Sequence, residues 1–225
     1  MRLVCIADTH LFHDDLQLPA GDVLIHAGDL LRGGDLEELE QGLVLFSRAP
    51  HKTKIFVAGN HDQCFEEHQQ RAVALLGPDI TYLQDSGVTV DGLQFWGSPW
   101  QPAFNDWAFN LRTPAELANK WALIPEFGVD VLITHGPPRG LGDGSAVARP
   151  LGCLQLRARV AVVQPKLHVF GHIHQAGGAW HEDGTLFVNC TTWECERPAS
   201  VVDLERGPDG WRVTRQDIPP RETAR

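Results

Sequence analysis

Leu3-Val4-Cys5-Ile6-Ala7-Asp8-Thr9-His10 opens the chain with five consecutive apolar residues that run straight into a carboxylate, with an imidazole two positions on. A short unbroken apolar run is what a strand buried on both faces of a parallel sheet requires, and it leaves Asp8 at the strand's C-terminal end. The same grammar recurs four times. Val23-Leu24-Ile25-His26-Ala27 leads into Gly28-Asp29, and Ile55-Phe56-Val57-Ala58 leads into Gly59-Asn60-His61. Val131-Leu132-Ile133-Thr134 leads into His135, and Leu167-His168-Val169-Phe170 leads into Gly171-His172-Ile173-His174. In open α/β sheets ligands collect beyond the carboxyl ends of the strands, so five polar strand ends can line one crevice. Asp8, His10, Asp29, Asn60, His135, His172 and His174 supply four imidazoles, two carboxylates and a carboxamide, a donor mixture suited to a pair of divalent cations.

Spacing adds a second expectation. Side chains at i and i+2 of an extended segment point the same way, so Asp8 and His10 are expected to share an ion with Thr9 turned aside, and His172 with His174 repeats the pattern. Among the other histidines, His26 and His168 fall inside strands and read as core residues. His13 reads as a surface or outer residue, and His51, His68 and His181 as exposed ones.

Working outward, the connections carry helix and turn signals that an α/β fold needs. Asp35 and Glu38 form a capping-box pattern ahead of Leu36, Leu39, Leu43 and Phe46. Thr113-Pro114 with Glu116 marks a second helix start that places Leu117, Trp121 and Ile124 on one side, and a third helix is expected over Cys153 to Val163. Val88 to Val90, Asp91-Gly92 and Leu93 to Trp96 read as a β-hairpin. Late strands around Leu186 to Val188, Val201 to Leu204 and Trp211 to Val213 point to a second sheet. The expected architecture is α/β, with two packed mixed sheets flanked by helices, in one domain over residues 1–218 with a disordered tail at 219–225.

Composition narrows the partners. With 29 acidic against 19 basic residues the formal charge is −10, which disfavours gripping long nucleic acid through its phosphates. Five scattered cysteines without zinc-ribbon spacing read as reduced thiols. No signal peptide is read ahead of the first strand and no run is long enough to span a membrane, so a cytoplasmic protein is expected. The oligomeric state is not legible.

The ordered set Asp-x-His, Gly-Asp, Gly-Asn-His-Asp, Thr-His-Gly and Gly-His-x-His, from residue 8 to 174, resembles the calcineurin-like metallophosphoesterase superfamily. Gly97-Ser98-Pro99-Trp100, Trp107-Ala108-Phe109-Asn110 and Lys166 through His174 resemble its small metallophosphodiesterase branch, which includes the MPPED proteins. The resemblance implies the layered sandwich of that superfamily and two divalent ions, of manganese, iron or zinc. Asp8, His10 and His174 would hold one and Asn60, His135 and His172 the other, with Asp29 bridging. It implies hydrolysis by attack of a metal-bridging hydroxide, with His61 protonating the departing alkoxide.

Two departures bear on mechanism and substrate. The protein serine/threonine phosphatases carry an aspartate three residues after their Gly-Asp aspartate to orient the catalytic histidine. Arg32 stands there, so the group that orients His61 is open, Asp62 being only a sequence neighbour. Those phosphatases also have a phosphate-clamping arginine just before Gly-Asn-His, where this chain has Ala58. A singly charged phosphodiester needs less cationic help, so small diesters such as cyclic nucleotides are the expected substrates. A phosphomonoesterase, a nuclease, or a non-catalytic interaction module on the same fold are the alternatives. Arg139 is a candidate contact for the substrate phosphate, with a solvated side chain as its alternative. Trp100 stands for the aromatic stretch Gly97 to Asn110, which either walls a pocket for a nucleobase or is pinned to the core.

Overall fold

The computed structural model describes residues 1–144 and 150–220, with Asp15 by its main chain alone. In chain order its elements are β1 (Arg2–Ile6), β2 (Val23–His26), α1 (Leu36–Arg48), β3 (Thr53–Phe56), α2 (Cys64–Glu67), α3 (Gln69–Leu75), β4 (Ile80–Tyr82), β5 (Ser86–Val90) and β6 (Leu93–Ser98). There follow β7 (Gln101–Pro102), β8 (Asn110–Leu111), α4 (Pro114–Trp121), β9 (Val131–Thr134), α5 (Leu154–Val163), β10 (Leu167–Phe170), β11 (Gly178–Glu182), β12 (Thr185–Asn189), β13 (Ser200–Gly207) and β14 (Gly210–Asp217).

Alternation along β1 sets the layers. Leu3, Cys5 and Ala7 join one core, and Val4 and Ile6 join another on the opposite face. The first core lies between two six-stranded sheets, because it also takes Ile25 and Ile55 from one and Phe95, Ile133, Val169 and Val188 from the other. The second core packs Val4, Ile6, Leu24 and Phe56 against Leu39, Leu45 and Phe46 of α1 and against Phe65 and Ala72 of α2 and α3. A third packs Leu132, Phe170 and Phe187 against Leu117 and Trp121 of α4 and Leu156 and Val160 of α5. The result is helix, sheet, sheet, helix. Each fully buried Leu, Ile or Phe contributes about 1.5–3 kcal/mol, so strands covered on both faces are where stability concentrates.

One sheet has the order β14-β13-β1-β2-β3-β4 and the other β11-β12-β10-β9-β6-β5. In each, four neighbouring strands run parallel: β1 to β4, and β12, β10, β9 and β6. Antiparallel strands complete the edges. The two sheets meet directly beyond β1, through a parallel bridge from Ala7 to Thr191 and a 2.8 Å bond from Thr192 N–H to the Ala7 carbonyl.

The structure divides the late strands differently from the sequence reading. Of the three expected late strands, the one at Leu186 to Val188 (β12) lies in the second sheet, while β13 and β14 extend the first, with β13 antiparallel to β1 in register Leu3 to Val202. The helix starts form as expected at Thr113, whose capping box with Glu116 is complete. At Asp35 only half of the box forms, since Glu38 instead accepts the main-chain N–H groups of Arg32, Gly33 and Gly34 at 2.7–3.0 Å. His51 is buried rather than exposed, and His13 is buried too, which removes the surface alternative for it. Pro219 and Pro220 accept bonds from Arg197, while residues 221–225 of the expected tail lie outside the described residues. Among the described residues no helix is long and apolar enough to cross a membrane.

Candidate metal centre

The parallel strands of both sheets deliver their polar ends to one place. Asp8 follows β1, Asp29 follows β2, Asn60 follows β3, His135 follows β9 and His172 follows β10. Ring nitrogens and carboxylate oxygens gather there in three overlapping groups with all members within 4.8 Å: Asp8 with His10 and His174, His10 with Asp29 and His61, and Asp29 with His135 and His172. Asn60 joins the last group, its Oδ1 lying 3.0 Å from His135 Nε2.

The i, i+2 argument for Asp8 and His10 does not describe how they meet. Asp8 has φ 57°, His10 φ 44°, Asp29 φ 58° and His172 φ 70°, so the chain leaves each strand through left-handed main chain rather than continuing extended. Such conformations are costly for residues with a Cβ and persist where surrounding contacts enforce them, commonly at functional sites. The enforcing contacts are visible. Asp8 N–H donates to the Gly28 carbonyl, His10 N–H to the Asp29 carbonyl, and both Asp8 oxygens accept the His172 N–H at 3.0 and 3.1 Å.

Hydrogen bonds at the far ring edges set the tautomers. His10 Nδ1 lies 3.0 Å from the Leu31 carbonyl and His135 Nδ1 lies 3.0 Å from the Ala27 carbonyl. A carbonyl only accepts, so Nδ1 carries the proton and a neutral ring presents a bare Nε2 lone pair, as a metal-binding histidine does. His10 Nε2 lies 3.8 Å and His135 Nε2 3.4 Å from the same atom, Asp29 Oδ2, and His174 Nε2 lies 3.7 Å from Asp8 Oδ1. Donors bonded at about 2.0–2.2 Å to a shared ion have edges of about this length. The residues present therefore fit divalent metal, with Asp29 Oδ2 within 3.8 Å of both His10 Nε2 and His135 Nε2.

Asp29 is held as tightly as it is shared. Its Oδ1 accepts the His61 main-chain N–H at 2.8 Å, and its own N–H donates to Asp62 Oδ2 at 2.9 Å. Asp62 also accepts the N–H groups of Gly59, Leu30 and Leu31, and so ties the loops after β2 and β3 together. Gly59 is required there: a Cβ would stand 2.3 Å from Asp29 Oδ1 and 2.7 Å from His135 Cε1.

The field at the centre favours positive charge. Burial alone would raise the Asp29 carboxyl, but His135, with His10 and His61, holds it well below the usual carboxylate range. Burial works against a charged His135, yet Asp29 and then Asp8 draw its pKa up to about 9. His172, buried and beside His135, is pushed down to about 4. Asp62 rises to about 7 through burial and the Asp29 charge, against the pull of its N–H donors. The carboxylates that hold a proton on His135 would equally hold a divalent cation, in which case the ring serves as a neutral donor.

His61 is oriented by a group that no side-chain motif reveals. Its Nδ1 donates to the Arg32 main-chain carbonyl at 2.6 Å, so position 32 supplies the partner through its backbone, on the loop clasped by Glu38. Asp62 has no such role. Four aromatic side chains rim the centre. Trp107 packs on His61 at 4.0 Å between ring centroids, Phe104 meets His172 edge-on at 5.9 Å, and Trp193 lies 6.2 Å from His174. Phe12 packs under the Arg32 guanidinium.

Trp100 belongs elsewhere. Its indole N–H donates to Asp85, Lys120 covers its ring and Phe109 packs at its edge, so this tryptophan joins the two outer cores and is not part of the rim. Arg139 is exposed, and among the described residues its side chain makes no hydrogen bond or ion pair with the converging groups. Sequence reading overlooked Trp193, weighed Asp62 only as a partner for His61, and named Trp107 only as one of an aromatic stretch. The aspartate in Gly-Asn-His-Asp was the available signal for Asp62, and nothing local separates Trp107 from Trp100.

Residues 1–176 match the calcineurin-like phosphoesterase family. Human metallophosphoesterase domain-containing protein 1 is 41% identical over 231 residues, covering 90% of this chain and 71% of its own length. A UPF0046 protein of Caenorhabditis elegans is 39% identical over 202 residues, covering 84% of this chain and 69% of its own. Among solved structures, TT1561 of Thermus thermophilus superposes with a TM-score of 0.59 at 14% identity over 89% of this chain and 97% of that one, a likeness of fold.

Proposed function

Because the chain belongs to the calcineurin-like phosphoesterase family, we propose that it is a two-metal phosphodiesterase acting on small diesters such as cyclic nucleotides. The observation that carries this reading is the sharing of Asp29 Oδ2 between His10 Nε2 and His135 Nε2, at the junction of two donor triads. Asp8, His10 and His174 would hold one ion and Asn60, His135 and His172 the other, with Asp29 shared between them. Manganese, iron or zinc suits the nitrogen and oxygen donors. Two such ions would supply Lewis acidity to the phosphoryl oxygens and lower the pKa of a water held between them.

The chain's own part is proton delivery and placement. As water adds to phosphorus and the ester P–O bond breaks, the departing alkoxide takes a proton from His61 Nε2, the ring atom left free by the Arg32 bond. Support for a diester comes from Ala58 at the place of the phosphatase clamp. The acidic balance argues for a small substrate over long nucleic acid. Five free cysteines, four of them buried, agree with a reducing, cytoplasmic setting. Protein reconstituted with manganese is expected to hydrolyse bis(p-nitrophenyl) phosphate and 2′,3′-cyclic nucleotides in preference to p-nitrophenyl phosphate. Equal or faster turnover of the monoester would move the assignment to a phosphatase, and no turnover of either would remove the enzyme reading.

A further inference from the structure

We propose that Trp107 is the positioning residue for His61 and thereby sets how well the protein turns over diesters with poor leaving groups; the inference rests on the phosphodiesterase reading above. The two rings lie 4.0 Å apart at 34°, close to a stack, so one indole face is already covered by the imidazole and is not free for a ligand. His10 also packs on the His61 ring, nearly perpendicular to it with centroids 4.7 Å apart. Against these two rings the imidazole keeps one tether of its own, the 2.6 Å bond from Nδ1 to the Arg32 carbonyl. That bond alone permits rotation about its own axis; the two rings remove the freedom and fix the direction of Nε2.

Trp107 is in turn anchored to the segment it steadies. The N–H of Ala108 donates to the Asn60 carbonyl at 3.1 Å, and that of Phe109 donates to Glu66 at 2.9 Å. Phe109 is wholly buried, and the Asn110 carboxamide braces the outer turn through Phe104 and Asn105. The loop between β7 and β8 is thus fastened to Asn60-His61 by main chain and by ring. A half-buried indole held this way in a loop has little packing reason of its own, unlike Trp100, which joins two cores.

General-acid help matters most when the departing oxygen is basic. The test compares Trp107→Ala, Trp107→Phe and His61→Ala, each manganese-loaded and shown folded by its melting curve. The substrates are bis(p-nitrophenyl) phosphate, whose leaving group needs no proton, and a 2′,3′-cyclic nucleotide, whose ribose oxygen does. Trp107→Ala is expected to lower kcat about 100-fold on the cyclic nucleotide and less than about 3-fold on the aryl diester, with KM unchanged. Trp107→Phe should restore most of the loss, and His61→Ala should show the same selectivity. Selectivity in His61→Ala but not in Trp107→Ala overturns the role of Trp107 alone, as does a rise in KM without a fall in kcat, or an equal loss on both substrates. Wild-type turnover of the aryl diester only, or His61→Ala without selectivity, overturns the acid role of His61 and this proposal with it. Turnover of neither diester overturns the phosphodiesterase reading itself.

Discussion

Lowering the pH should unfold this protein through histidines that sit inside its strands, and His168 gives the cleanest case. It is wholly buried in β10 between Phe170 and Phe187, and its Nε2 lies 2.9 Å from Thr134 Oγ1. The Thr134 hydroxyl spends its one proton on the Gly136 carbonyl at 2.7 Å, so the imidazole must donate from Nε2 and keep a bare Nδ1, which has no partner. A second proton would therefore be a buried, unpaired charge, and burial pushes the pKa down to about 3. The unfolded chain takes up that proton below about 6.5, and the folded chain does not until about 3. Stability from this group is therefore intact above about 6.5 and falls as pH drops through that window, by about 2 kcal/mol at pH 5 and about 4 kcal/mol by pH 3. Urea unfolding of metal-free wild type and His168→Phe, at pH 8 and pH 5, isolates the effect, since every other titrating group cancels in the double difference. The wild type should lose about 2 kcal/mol more than the variant between the two pH values. Equal losses, within about 0.5 kcal/mol, would show that His168 is protonated or hydrated in the folded protein and refute the reasoning.

Three further outcomes follow from the centre. Asp29→Asn, which leaves one oxygen where two are used, should drop bound manganese from two ions per chain to one or none by elemental analysis and lower diester turnover by at least about 100-fold; two retained ions would sink the bridging role. Gly59→Ala places a methyl group 2.3 Å from Asp29 Oδ1 and 2.4 Å from Asp29 N, and overpacking of this kind should cost about 3 kcal/mol in urea unfolding together with metal affinity. Chelation should lower the melting temperature and manganese restore it, each site adding about 2.7 kcal/mol at a free-ion level of 100 times its Kd; a melting curve indifferent to both would mean that no ion binds the folded state selectively.

How much of this was legible without coordinates depends on the range of each interaction. The capping box at Thr113, the hairpin turn at Asp91-Gly92 and the helix over Leu154–Val163 all formed where expected, because the bonds that make them span a few residues. The apolar runs ahead of Asp8, Asp29, Asn60, His135 and His172 were equally readable. A strand covered on both faces has to be apolar throughout, and the first polar residue marks where it ends.

Other features were decided by contacts that sequence distance hides. Val201 to Leu204 and Trp211 to Val213 had the pattern of strands, but alternation does not say which sheet a strand joins; the register of Leu3 with Val202 put them beside β1. His51 looked solvated and is buried, since its neighbours come from another part of the chain at Gly21. Trp100 and Trp107 lie in one aromatic stretch, and only the fold turns one into the cores and the other onto His61. The orientation of His61 came from a main-chain carbonyl at Arg32, a group every residue possesses. Residue type and spacing by themselves determined the α/β class, the strands that end at the centre and the chemical makeup of that centre, because burial and donor chemistry are written in side chains. The tertiary structure alone decided the left-handed exits of Asp8, Asp29 and His172 and the main-chain bonds that aim each ring, because backbone groups are identical along the chain and only their placement distinguishes them.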